Sequence, residues 1–136
     1  MGSVRLNAFR QRRRIWLLLG WGMVVSVVVL SLIPLDIDLR ENRDKFAHFA
    51  AYGSMAFWFG MLFEGRARQA AIAIALAAMG VAIEFLQGMT DYRSFDVFDM
   101  IANGIGAALG WALAQTPLRN ALAWAERLLD LPGRKP

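Results

Sequence analysis

Apolar residues in this chain run in four unbroken blocks separated by short charged connections, rather than recurring at amphipathic spacing. Ile15–Leu35 carries no charge over 21 residues, and Phe46–Phe63 holds only His48 and Tyr52 as ionisable groups over 18. Ala70–Met89 has one carboxylate, Glu84, in 20 residues, and Val97–Gln115 has one, Asp99, in 19. A helix needs about 20 residues to cross a hydrocarbon core about 30 Å thick. Backbone groups in lipid must be bonded internally, so the blocks are read as helices. The expectation is an all-α, four-helix transmembrane bundle with spans 15–35, 46–63, 70–89 and 97–115. A basic arm, 1–14, precedes the membrane domain, 15–116, and a tail, 117–136, follows it.

The tail reads as an amphipathic helix over Pro117–Leu131. Leu118, Leu122, Leu128 and Leu129 oppose Arg119, Glu126 and Arg127, and Pro117 suits a first turn. Such a helix would lie on the inner leaflet or in solvent. Arg12, Arg13 and Arg14 before the first block resemble the start of a secretory signal. The apolar run is too long for one, however, and no small-x-small cleavage site follows. An uncleaved first span is expected.

Composition agrees with a membrane chain. Of the residues 57% are apolar and 19% charged, with 15 basic against 11 acidic. The basic excess flanks the apolar blocks, which points to a membrane rather than to nucleic acid. There is no cysteine, which excludes disulfides and thiolate metal sites. With four spans, one side holds Arg5, Arg10, Arg12, Arg13, Arg14, Arg66, Arg68, Arg119, Arg127, Arg134 and Lys135. The other holds Arg40, Arg43, Lys45 and Arg93. Both termini are therefore expected in the cytoplasm. Trp16, Trp58 and Trp111 fall at the cytoplasmic ends, as an aromatic belt would.

The candidate chemistry lies at the other ends. Lys45, His48 and Tyr52 are spaced i, i+3, i+7, and so are Asp96, Asp99 and Asn103; Glu84 and Gln87 are i, i+3. Each set shares one helix face. By the rise per residue, Lys45, Arg93 and Asp96 form a rim. His48, Glu84 and Asp99 lie roughly 5–8 Å below it, and Tyr52 and Asn103 roughly 10 Å in. Polar side chains are costly against lipid, so these faces should turn inward. Lys45-x-x-His48-x-x-x-Tyr52-Gly53 also aligns with Asp96-x-x-Asp99-x-x-x-Asn103-Gly104 at an offset of 51. Gly106 and Gly110, with Gly104 and Ala107 nearby, are small residues expected to serve bundle packing, as are Ala77 and Gly80. Ser94 is a candidate cap for the last helix, with Asp96 in its first turn.

The run Asp44-Lys45-Phe46-Ala47-His48-Phe49-Ala50-Ala51-Tyr52 resembles the opening signature of the VanZ-like family of small membrane proteins. Glu84-Phe85-Leu86-Gln87, then Arg93-Ser94-Phe95-Asp96-Val97-Phe98-Asp99, Asn103 and Gly106, resembles its second signature. The resemblance spans Asp44 to Gly110. It implies a bacterial cytoplasmic-membrane protein of the cell envelope, in a family named for a link to resistance to the glycopeptide teicoplanin.

The polar residues admit several readings. Lys45, Arg93, Glu84, Asp96 and Asp99 sum to −1 with His48 neutral, close to the balance of a structural interhelical network. A second reading is a pocket for an anionic headgroup or lipid-linked glycan. Lys45 and Arg93 would meet phosphate, and Gln87, Tyr52 and Asn103 would orient the ligand. A third is catalysis on a lipid-linked phosphate, with His48 as base and Glu84 or Asp99 as partner or acid. A metal held by His48, Glu84, Asp96 and Asp99 is the fourth, and the single histidine counts against zinc. The expectation is a binding pocket, without cofactor, metal or nucleic acid, whose partners are the bilayer and an envelope lipid or lipid-linked precursor.

Overall fold

A computed structural model describes the backbone of residues 2–34 and 41–129, and the side chains of residues 12–34 and 43–125. The elements are α1 (Gly2–Leu32), α2 (Glu41–Leu62), α3 (Arg66–Gly88), α4 (Val97–Leu113), a 3-10 turn (Pro117–Asn120) and α5 (Ala121–Leu129). Among the described residues there is no strand, so the all-α bundle forms as expected. Arg40, Arg134, Lys135, and the ends of the first span and of the tail helix lie outside the described residues. So do the side chains of Arg5, Arg10, Glu126, Arg127, Leu128 and Leu129. α1 runs without a break from Gly2 through the basic residues into the first apolar block.

Two stretches, Arg12–Leu32 and Arg66–Gly88, are long and apolar enough to cross a membrane. α2 opens on a charged turn, Glu41 to Lys45, and α4 has only 17 residues. The tail bends 77° away from α4, and a third stretch counts as a span only if that bent pair is one crossing. Large apolar side chains cover the outside, and polar ones lie buried beside the apolar core. Leu18, Ile74 and Phe98 are 65–71% exposed, while Gln69, Glu84, Gln87, Asp99 and Asn103 are buried. That inversion is the mark of a protein whose solvent is lipid.

The helices run alternately up and down. Near one end, Trp58 Nε1 donates to the Trp16 carbonyl at 3.0 Å, with the two rings edge to face. At the other end Gln87 Nε2 donates to the Ser31 carbonyl (2.8 Å) and Tyr92 Oη to that of Leu32 (2.6 Å). Gly65, at φ 90°, makes the turn between α2 and α3, a conformation that disfavours a side chain.

The dominant contact is between α2 and α4, which lie parallel. Gly106 sits against the Phe49 carbonyl, Gly110 against that of Gly53, and Gly60 against Ala114. Small residues thus let two backbones touch, which lipid-embedded helices use where hydrophobic exclusion is absent. Gly80 of α3 gives the same room to Asn103 of α4. The apolar core completes the contact with Tyr52, Met55, Ala56, Phe59 and Ala107.

Ser94 does not cap α4. Asp96 is the cap, its Oδ1 accepting from Phe98 N–H at 2.8 Å, and Asp99 occupies the first turn. The extended backbone of Asp96 places its carboxylate beside the Phe98 amide, which Ser94, three residues from the first helical residue, does not reach. The tail helix starts with Pro117, as read from the sequence, behind a Thr116 cap.

A side chain at Gly106 would strike the Phe49 backbone, whereas one at Gly22 meets nothing within 4 Å. Gly106→Ile should therefore destabilise the bundle by about 1–3 kcal/mol or prevent folding. Gly22→Ile should leave it unchanged. Thermal unfolding of the two variants in detergent checks this; equal melting would refute the α2–α4 contact.

Candidate functional site

The parallel packing of α2 and α4 brings their polar faces level. Lys45 Nζ donates to Asp96 Oδ2 at 2.9 Å, an offset of 51 residues, and is 3.8 Å from Asp99 Oδ1. His48 Nε2 lies 3.6 Å from Asp99 Oδ2, again at an offset of 51. Its Nδ1 is 3.1 Å from Asn103 Oδ1. The carboxamide oxygen is an acceptor, so Nδ1 donates in this bond, and Nε2 faces Asp99.

α3 and α1 close the site from the other side. Glu84 is buried and its Oε1 accepts the Asp96 backbone N–H at 2.6 Å. It therefore reaches up to the rim instead of lying flat in the His48 layer: the carboxylate satisfies an amide that the cap turn leaves unpaired. Gln87 is turned toward α1 by its bond to Ser31. Tyr52 is buried in the core beneath His48.

Two cavities meet here. One, about 390 Å³, has an apolar wall of Val27, Leu30, Ala47 and Ala51 and a polar end of Ser31, Asp44, His48, Tyr52, Gln87 and Arg93. The other, about 310 Å³, is lined by Asp44, Lys45, Gln87, Arg93, Ser94, Asp96 and Asp99. Asp44, Gln87 and Arg93 belong to both. Every residue singled out from the sequence at this end is thus at or beside one cluster, apart from Gly106 and Gly110, which pack α4 on α2.

Asp44 is the addition. Its Oδ1 lies 4.0 Å from His48 Nε2, and single donor atoms of Asp44, His48 and Asp99 lie within 4.8 Å of one another. Its spacing, one turn before His48, was the available signal, but the polar set read from spacing began at Lys45. Glu84 and Asp96, named with His48 as metal ligands, do not join this set.

The opposite end differs in charge. Arg13, Arg68 and Arg119 line a third cavity of about 460 Å³ together with Glu64 and Trp16. Gln69 bonds the carbonyls of Gly60 and Phe63 there and accepts from Gln115, all at 2.8 Å. Neither glutamine stood out in the sequence, because a lone glutamine near a helix end carries no spacing signal.

Comparison with known proteins gives one family and one relative. The family model described as VanZ/LLP1 matches residues 1–119. An uncharacterized protein of Schizosaccharomyces pombe is 34% identical over 74 residues, 52% of this chain. The match spans 46% of that protein's own length. No solved structure matches.

Lys45 holds the Asp96 carboxyl below its ordinary value of 3.8, and the cap bond from Phe98 acts in the same direction. A lowered folded value favours the native state above the unfolded one, and this contribution fades as pH falls through the folded value. Asp96→Asn keeps a capping oxygen and loses the charge. The stability gap between wild type and variant should hold from pH 7 to about 5 and shrink below about pH 4. Unfolding midpoints across that range in detergent decide it, and a constant gap would remove the ion pair from the energetics.

Proposed function

The chain belongs to the VanZ/LLP1 family of membrane proteins, and from that premise we propose that it is a four-span protein whose polar cavity holds the headgroup of an amphiphile. The carrying observation is the 390 Å³ cavity between α1 and α2, apolar along Val27, Leu30, Ala47 and Ala51 and polar at its end. A membrane lipid or lipid-linked precursor matches that division: chain against the wall, headgroup among Arg93, His48, Tyr52 and Gln87. Arg93 supplies a fork suited to a phosphate or carboxylate. A link to glycopeptide resistance would follow only if the bound amphiphile belongs to wall synthesis.

Binding accounts for the geometry better than catalysis. Glu84 is engaged by a backbone amide, Lys45 by Asp96 and Gln87 by α1. His48 lies near Asp99, and the hydroxyls of Ser31, Tyr52 and Ser94 line the same cavities, but no hydrogen bond joins any of them to His48 or Asp99 among the described residues. The basic end, with Arg13, Arg68 and Arg119, is the side that the positive-inside rule assigns to the cytoplasm. The polar cavity then opens toward the outer half of a bacterial cytoplasmic membrane, with both termini inside.

Two experiments test this. Native mass spectrometry of the purified protein should show a retained lipid of defined mass, lost in Arg93→Ala at unchanged melting temperature. Unselective lipids in both proteins would sink the binding reading and leave a structural network. The chain has no cysteine, so Asp91→Cys and Glu64→Cys report topology directly. An impermeant maleimide on intact cells should label the first and spare the second; the reverse would invert the orientation.

A further inference from the structure

We infer that Asp44, His48 and Asp99 form a binding site for one first-row divalent transition ion. The inference goes beyond the amphiphile reading and does not depend on it. Four features of the cluster carry it.

The first is geometry. Nε2 of His48 is 3.6 Å from Asp99 Oδ2 and 4.0 Å from Asp44 Oδ1. Donors on a tetrahedral ion with bonds of about 2.0–2.2 Å lie about 3.3–3.6 Å apart. The His48–Asp99 pair already stands at that spacing, Asp44 must approach His48 by about 0.4–0.7 Å, and the two carboxylates, within 4.8 Å of each other, close by about an ångström or less through side-chain rotation, with Asp44 and His48 on one face of α2 a turn apart.

The second is an orphan oxygen. Asp99 is 7% exposed, and its Oδ1 has no hydrogen-bond partner among the described residues. The Lys45 ammonium, 3.8 Å away, is bonded to Asp96 instead. This oxygen has the Lys45 charge beside it but no hydrogen bond, and a cation held by the carboxylate would supply the interaction it lacks.

The third is the orientation of the ring. Metal-bound histidines donate their second N–H to a fixed acceptor, which aims the ring and sets the lone pair on the ligating nitrogen. Asn103 Oδ1 does this for Nδ1, leaving Nε2 toward the two carboxylates. Asn103 is itself held in place by the contact with Gly80.

The fourth is charge. Asp44, Glu84, Asp96 and Asp99 face Lys45 and Arg93, a formal −2 with His48 neutral. A divalent ion neutralises this set of groups, and one imidazole with two carboxylates suits manganese or iron over calcium or magnesium, the single histidine counting against zinc. Three protein ligands leave coordination positions open toward the cavities that Asp44 lines.

The test uses the full chain in detergent, stripped with chelator, and Mn²⁺ and Zn²⁺ as probes in equilibrium dialysis. One ion per chain is expected, retained against a large excess of Mg²⁺. Asp44→Asn and Asp99→Asn should each weaken binding at least about tenfold. Asp91→Asn, at the same end but outside the cluster, should bind as wild type does. Asp99 is buried and its variant could fail to fold. Asp44, with 30% of its side chain exposed, keeps the test decisive, provided its variant melts as wild type does without metal. No bound ion in the wild type, displacement by Mg²⁺, or equal affinity in Asp44→Asn would overturn the site. A lipid retained without any metal effect would leave the amphiphile reading standing and this one refuted.

Discussion

Backbone contact between α2 and α4 governs the arrangement of everything else at the polar end. Gly106 and Gly110 expose their Cα atoms to the carbonyls of Phe49 and Gly53, with Gly60 meeting Ala114 further along. In lipid there is little hydrophobic gain from joining two apolar helices, so close van der Waals contact must supply the association. The glycines make that contact near the middle of both helices. The parallel register they fix brings Lys45 level with Asp96 and His48 level with Asp99.

That register creates an electrostatic problem and solves part of it. Two carboxylates of α4 meet the lysine and histidine of α2, while Glu84 arrives from α3 and binds an amide of the cap turn. Asp96 serves twice, as helix cap and as the partner of Lys45. Asp99 is left with one oxygen that has the Lys45 charge at 3.8 Å but no hydrogen bond, and with His48 and Asp44 within reach. A bundle selected only for stability would gain by filling such a position with apolar atoms. The residue of unsatisfied negative charge, next to a cavity with an apolar wall, is what favours a site over a scaffold.

The two ends of the bundle divide the work. One carries carboxylates, an imidazole and two cations around connected cavities. The other carries arginines, tryptophan and a pair of glutamines that tie together the ends of α2, α3 and α4. The bend of 77° after α4 turns the tail aside, with Arg119 of its first turn lining the basic cavity. Charge asymmetry of this kind both sets orientation during insertion and keeps the polar cavity away from the basic face.

Much of this was legible from the chain. The length and purity of the apolar blocks specified helices, since lipid allows the backbone no other local solution. The spacings of Lys45, His48 and Tyr52 and of Asp96, Asp99 and Asn103 specified which residues share a face, because helical periodicity is local. Other features depend on neighbours distant in sequence and have no local signature. Asp44 joins the cluster only because α4 lies beside it, and Glu84 reaches the rim only because an unpaired amide waits there. Ser94 lost the cap to Asp96 through the path of the chain entering α4. Periodicity determines what a helix can present; which group meets which is decided by the packing offset between helices, and that offset exists only in the folded bundle.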